Sequence, residues 1–330
     1  VVVRRHEDLR LIGIVVIGRN EGERLVRCLQ SLPHDGAHIV YVDSGSTDGS
    51  IDAARNNGAQ TVSLDLSVPF TAARARNAGL AAFHDLDGTM DYVQFVDGDC
   101  ELDTAWIETA RDFLEHHPLV AVVGGRRRER FPQASIYNAM CDREWDTPIG
   151  ETAACGGDAL MRWAPLQDVN GYNGTLVAGE EPELCARLRA QGWKIWRIDA
   201  EMTLHDAAMA RFGQWWTRAR RAGFAYAQVA SIRQGDIPDV FAASRRRVLM
   251  WGFGFPVVAI GSAVFLPIVG LIVCAAPFAQ IIRAALRDKG PFRWAYSAFN
   301  MLAKIPEAIG MTQFLFGRLR HREHQAILYK

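Results

Sequence analysis

Two carboxylates one residue apart close an apolar run: the segment reads Tyr92-Val93-Gln94-Phe95-Val96-Asp97-Gly98-Asp99-Cys100. Such a run reads as a buried strand. Alternate side chains on a strand point the same way, so Asp97 and Asp99 can converge on one point. Two hard oxygen anions suit a hard divalent cation, and such a cation would hold a diphosphate. Asp-Gly-Asp is also an ordinary turn, so the pair draws its meaning from the polar residues elsewhere in the chain.

Those residues sit after other strand-like runs. Arg19-Asn20-Glu21 follows the first; Asn20 suits the cap of the next helix and Glu21 its positive end. Asp43 opens Asp43-Ser44-Gly45-Ser46-Thr47-Asp48 after the second. An acid at that strand end can accept hydrogen bonds from a base or ribose, while Asp48 reads as a helix cap. Arg76 and Asn77 lie in a helix rich in Ala and Gly, where Arg76 is a natural cation for a diphosphate. Arg126-Arg127-Arg128 reads either as a solvated basic strand or as a surface for an anionic partner. Gly179-Glu180-Glu181-Pro182-Glu183 opens a later helix; Glu183 answers the macrodipole, and Glu180 or Glu181 can take a proton from an acceptor hydroxyl. His205 follows the strand Trp193–Ile198, in a place that suits a metal or phosphate.

The elements that position these groups alternate. Strands are expected over Ile12–Ile17, Ile39–Val42, Thr61–Leu66, Tyr92–Val96 and Val120–Gly124, with helices over Glu21–Leu32, Asp48–Asn57, Thr71–Phe83 and Asp103–His116. That order predicts an α/β fold with a mostly parallel sheet flanked by helices, and ligands beyond the carboxyl ends of the strands. Strands over Asp158–Trp163 and Trp193–Ile198 and helices over Glu183–Gln191 and Phe212–Ser231 follow.

Composition sets the bounds. The 330 residues carry 37 basic and 37 acidic side chains, a balance that excludes a general nucleic-acid binder. Six scattered cysteines without a C-x-x-C pair speak against zinc and a disulfide framework and for a reducing compartment. No secretory signal is evident, so the main fold is expected in the cytosol. Beyond Arg245-Arg246-Arg247, the run from Val248 to Ile282 has no charge, and basic residues flank both ends. Flanking cations prefer the cytoplasmic side, so both ends there imply a hairpin or re-entrant pair turning near Gly261–Pro267. The expected domains are 1–240, catalytic, and 241–330, membrane-associated, with the hairpin at 248–282 and a basic amphipathic tail at 283–330 on an anionic bilayer surface.

Taken in order, these motifs resemble a family 2 glycosyltransferase of GT-A fold over residues 11–235. The Asn-Glu turn matches Asn20-Glu21, the nucleotide-binding acid Asp43, the Arg-Asn-x-Gly motif Arg76, Asn77 and Gly79, and the metal-binding D-x-D Asp97 and Asp99. The Glu-Asp base motif matches Glu180-Glu181, with Glu in place of the usual Asp, and the post-strand histidine matches His205. The resemblance implies donor contacts from Asn20, Glu21, Asp43, Arg76, Asn77 and Asp97, a Mn²⁺ or Mg²⁺ ion on Asp97, Asp99 and His205, and Glu181, beside Glu180, as base. It further implies inverting transfer from a nucleoside-diphosphate sugar. The Gln-x-x-Arg-Trp motif of processive synthases is absent in that form.

The hairpin points the acceptor toward a lipid-linked glycan, hence a bacterial enzyme of surface polysaccharide assembly at the inner membrane, its catalytic domain facing the cytosol. The alternatives are a polyprenyl-phosphate sugar synthase, which needs no base because a phosphate is already an anion, and a non-catalytic scaffold subunit, against which the intact acids count. A nucleotidyltransferase would want a Gly-rich basic loop that Gly18-Arg19-Asn20-Glu21-Gly22 does not supply.

Overall fold

The structure, a computed structural model, describes residues 11–84, 90–232 and 237–320. These divide after Ala210 into two compact units, the second taking the described residues from Arg211 onward except Ile237 and Pro238.

The first unit runs β1 (Leu11–Gly18), α1 (Glu23–Ser31), β2 (Ala37–Asp43), α2 (Ser50–Asn56), β3 (Gln60–Ser63), α3 (Ala72–Ala81), β4 (Met90–Asp97), β5 (Cys100–Leu102) and α4 (Trp106–His116). It continues through β6 (Val120–Glu129), α5 (Ile136–Trp145), β7 (Gly150–Thr152), β8 (Ala159–Arg162), α6 (Trp163–Asp168), α7 (Glu180–Ala190) and β9 (Lys194–His205). The strands form one sheet in the order β3-β2-β1-β4-β8-β6-β9-β5, with β7 also on β9.

The sheet is mixed. β3, β2, β1 and β4 are parallel, as is β6 with β9, whereas β8 runs against both β4 and β6, and β5 and β7 run against β9. Register then gathers the polar segments. Gly18 stands opposite Asp43, Ile17 opposite Asp97, Glu129 opposite His205, and Cys100 opposite His205. The reversed β8 brings the residues just before Ala159 to the same end.

Alternation along the strands loads both faces. Ile14 and Val16 of β1 join Leu25, Leu29 and Trp106 in one core, while Val15 and Ile17 join Ala73, Phe95 and Leu184 in another. Gln94 is fully buried among apolar neighbours, and its Oε1 accepts from Trp106 Nε1 at 2.8 Å, so its amide is not left orphaned. Helix α3 lies close on the sheet because Gly79 faces Val15, where a Cβ would stand 2.4 Å from Val15 Cγ1.

The two capping expectations fare differently. Helix α1 is entered through Gly22, not Asn20, and α2 through Gly49, whose φ of 81° suits glycine. Asp48 still accepts from Ser50 N–H at 3.2 Å at the start of α2, and with Asn20 it also stitches the first two strand-end loops together. Asp48 accepts from Gly22 N–H and Asn20 Oδ1 from Thr47 N–H, at 2.9 and 2.7 Å.

The second unit begins with α8 (Phe212–Ile232) and α9 (Ala242–Val248), which passes through a π-helical stretch at Leu249–Gly254 into α10 (Phe255–Phe265). It continues with α11 (Pro267–Cys274), α12 (Ala276–Arg287), α13 (Arg293–Leu302) and α14 (Lys304–Leu319). Two helical arms, Ala242–Phe265 and Pro267–Arg287, are long and apolar enough to cross a membrane, and only 6% and 11% of their most apolar windows are buried. They turn at Leu266, inside the expected stretch, and Gly270 packs on Ala263.

Helix α14 spends one face on protein. Gly223 of α8 and Gly310 of α14 allow backbone contact, a Cβ at either standing 1.9 Å from the partner helix's carbonyl oxygen. In the tail expected at 283–330, α14 is therefore packed on α8 through Gly310 and Phe314, and the residues beyond 320 lie outside the described residues.

Candidate active site

Arg76 is the hub of the polar cluster. It rises from α3 with 2% of its surface exposed, and its Nη1 reaches Glu180 Oε1 at 2.9 Å and Glu181 Oε1 at 3.0 Å. Its Nη2 holds Asp97 Oδ1 at 3.0 Å. Acids from the end of β4 and the start of α7, 83 and 84 residues apart in sequence, thus share one guanidinium. A fork with five fixed donors can serve three carboxylates where an ammonium could not. Arg76 was expected to face a diphosphate; here its donors are directed at protein acids.

The other oxygen of Asp97 is held by Arg127, at 3.2 Å. Burial alone would raise Asp97, but Arg76 and Arg127 outweigh it and hold its pKa below the ordinary carboxylate value. Arg127 also reaches Asp158 Oδ2 at 3.3 Å and stacks over Trp145. Asp158, almost fully buried, accepts from the Asp97 N–H and from Thr203 Oγ1. Gly157 is required beside them: a Cβ there would meet Arg76 Nη2 at 2.7 Å and Asp97 Oδ2 at 2.9 Å.

The run Arg126-Arg127-Arg128 is therefore neither a solvated strand nor a free basic surface. Arg126 is buried against Asp142 and Asp146, Arg127 lies in the cluster, and only Arg128 is at the surface, paired with Glu201.

Asp99 turns toward β9. Its Oδ1 lies 3.3 Å from His205 Nε2, and its Oδ2 lies 4.0 Å from Arg24 Nη1. Burial and Arg127 push the His205 imidazole down, yet the Asp99 and Glu129 carboxylates prevail and its pKa lies above the usual histidine value. Among the described residues Asp99 and His205 fall in one potential ligand set with Cys100, and Asp97 falls in a second with Cys100 and Asp158. A carboxylate oxygen and an imidazole nitrogen suit a Mn²⁺-like ion. Their separation is close to the ~3 Å between adjacent ligands of an octahedral ion with bonds of about 2.1 Å. The pair fits such a cation better than Asp97, whose two oxygens are both taken by arginines.

Glu180 and Glu181 are distinguished by exposure: their side chains are 7% and 17% exposed. Burial and the adjacent Glu180 push the Glu181 carboxyl up to about 7, against the pull of Arg76. Glu183 forms a two-pronged pair with Arg187, as expected of a structural acid.

The remaining expected residues shape walls. Asp43 Oδ2 accepts from Gly45 and Ser46 N–H at 2.9 Å, and its Oδ1 from Tyr41 Oη at 3.0 Å. Asn20 Oδ1 joins that loop, and Glu21 is buried, 2.5 Å from Arg24. Asn77 uses both ends of its amide on the Tyr172 backbone, and the Tyr172 ring lies under Arg76. Glu129 and Trp145 were not singled out in the sequence, and Arg127 was read only as part of the run Arg126-Arg127-Arg128.

Residues 13–154 match the family model described as Glycosyl transferase family 2. The chain is 23% identical over 247 residues to glycosyltransferase AglE of Haloferax volcanii, covering 71% of this chain and 79% of that protein. It is 26% identical over 261 residues to the pre-mycofactocin glycosyltransferase of Mycobacterium tuberculosis, covering 74% of this chain and 52% of that one, so it spans about half that relative's length. In fold it is similar to the mannosyltransferase PcManGT from Pyrobaculum calidifontis, solved with GDP-Man and Mn²⁺, at 18% identity and a TM-score of 0.63 over 91% of this chain and 86% of that one. Residues 13–154 thus carry a domain of glycosyl transferase family 2, set in a sheet of GT-A fold.

Proposed function

We propose that the protein moves a sugar from a nucleoside-diphosphate sugar to a hydroxyl of a lipid-linked or polysaccharide acceptor, with inversion at the anomeric carbon. The observation that carries this reading is the Arg76 hub, which holds Asp97 within one guanidinium of Glu180 and Glu181.

Glu181 takes the acceptor proton. Its carboxyl sits near neutrality, where a base combines a useful ionised fraction with a useful proton affinity. Glu180, more buried, contributes the negative charge that helps keep it there. Arg76 fixes the direction of the Glu181 carboxylate, and Arg127 fixes Asp97 for contact with the donor. Asp99 and His205 hold a divalent cation, Mn²⁺ or Mg²⁺, which when bound neutralises charge on the leaving diphosphate. The loops around Asn20, Glu21 and Asp43 line the nucleotide end. A hydroxyl needs the base that Glu181 provides, whereas a lipid phosphate does not, and this favours a glycan acceptor.

The second unit supplies the location. The two apolar arms insert as a hairpin, and Arg245, Arg246, Arg247, Arg283 and Arg287 stay with the headgroups on the cytosolic face of the inner membrane. An acceptor on a lipid carrier, in assembly of an exported or surface polysaccharide, agrees with that address.

The test is a thermal melt of the full-length protein in detergent against a panel of nucleotide sugars, with GDP-mannose first because the Pyrobaculum enzyme was solved with it. A donor at 100 times its Kd adds about 2.7 kcal/mol, roughly 2–4 °C per kcal/mol for a domain of this size. The expected result is one donor that shifts the melt with Mn²⁺, with the shift lost in EDTA and in Asp99→Asn. No shift from any nucleotide sugar would refute the donor assignment.

A further inference from the structure

Glu129 lies behind His205, on the side away from Asp99. It ends β6, directly opposite His205 on the parallel strand β9. Its side chain is fully buried, and its Oε2 lies 3.7 Å from His205 Nδ1. Among the described residues nothing else is placed to bond that nitrogen.

The carboxylate is held from several directions. Oε1 accepts from Phe131 N–H at 3.1 Å and Asn138 Nδ2 at 3.0 Å, and Oε2 accepts from Ala207 N–H at 3.0 Å. Asn138 Oδ1 in turn accepts from Met209 N–H, so the segment after β9 is tied to the same acid. Trp145 meets the His205 ring edge-on, with centroids 4.6 Å apart, and limits its rotation.

Both oxygens accept, so an amide with a single accepting oxygen could not replace the carboxylate bond for bond, and yet none of these donors carries a charge. Taking a carboxylate out of water costs several kcal/mol unless something answers it. A cation on the far side of the imidazole is such an answer, transmitted through the ring. A metal-bound histidine commonly donates its other N–H to a carboxylate, which fixes the tautomer and makes the ligand more basic.

We propose that Glu129 is the positioning residue of the cation site: it accepts from His205 Nδ1–H and so leaves Nε2, beside Asp99, free to bind the ion. This rests on the cation reading above. A shift of about half an ångström brings the 3.7 Å separation into hydrogen-bond range.

The experiment titrates Mn²⁺ alone into the full-length protein and follows free Mn²⁺ by electron paramagnetic resonance. Wild type is compared with Glu129→Gln and Asp99→Asn, and folding is checked by melting temperature. The expected result is Mn²⁺ binding by wild type that weakens about 10- to 100-fold in Glu129→Gln with the fold intact, and is lost in Asp99→Asn. Equal affinity in a folded Glu129→Gln overturns the assignment.

A second readout needs no variant at Glu129. In ¹⁵N-histidine spectra of wild type, with the His205 signal identified by its loss in His205→Gln, neutral His205 should carry its proton on Nδ1. A proton on Nε2 overturns the assignment. Wild type that binds no Mn²⁺ overturns the cation reading itself, and Glu129 falls with it.

Discussion

Glu181→Gln should lower kcat by about 10²- to 10⁴-fold, the usual contribution of a positioned base, while leaving the donor-induced melting shift intact. Glutamine keeps the shape and an oxygen for Arg76 but cannot take a proton. The loss should therefore appear in kcat and not in the KM for the donor. Wild-type rate should fall as pH drops below about 7, because Glu181 must be ionised and its carboxyl is raised to that range.

Glu180→Gln separates the two acids. Removing the neighbouring negative charge lowers the Glu181 pKa, so the acid limb of the rate profile moves to lower pH. Stability should move the other way from rate. The folded state holds the Glu181 proton more tightly than the unfolded chain, so this group costs stability as pH rises from its ordinary value of 4.5 to about 7. Glu181→Gln should then melt higher than wild type at pH 8 and no higher at pH 4. Full activity in Glu181→Gln, with the loss transferred to Glu180→Gln, would reverse the roles of the two residues.

The hairpin makes the second large prediction. Wild type should remain in the membrane pellet through washes with high salt and alkaline carbonate, because insertion is hydrophobic and salt does not screen it. Val257, Ile260, Val264 and Leu271 are between 66% and 76% exposed. An acidic residue at the centre of a spanning helix costs about 2.5–3.5 kcal/mol. Replacing Val257 and Phe278, near the middles of the two arms and 71% and 68% exposed, by Asp should therefore release the protein from the pellet, while the donor-induced melting shift shows that the catalytic unit is still folded. Release of wild type by salt alone would reduce the attachment to the basic surface. Release by carbonate would remove the hairpin from the bilayer.

Much of the first unit was legible because local pattern and tertiary role coincide. The β-branched runs of β1, β2 and β4 could hardly be other than buried strands, and parallel register then brought Asp43 and Asp97 to one end. Glu180 and Glu181 were visible as a pair at a helix start, though only burial distinguishes them. What stayed hidden depends on contacts distant in sequence. β5 and β7 have three residues each and exist because β9 is there to pair with. β9 itself runs seven residues past the expected end, and that extension carries Thr203 and His205 into the site. Arg126-Arg127-Arg128 reads as a charge run, but the structure sends successive side chains to different partners. Glu129 looks like any surface acid until His205 is seen opposite it. Asn20 obeys the chemistry of helix caps but applies it between two loops, and Asp48 adds such a bond to the one it gives α2, a choice that only the adjacency of β1 and β2 makes available.

The most direct measurement is the anomeric configuration of the product, read by NMR after transfer from an α-linked nucleotide sugar in the presence of Mn²⁺. One displacement assisted by Glu181 must give a β-linked product. An α-linked product would contradict the single-base site, because it requires two displacements or a departure and return on the same face.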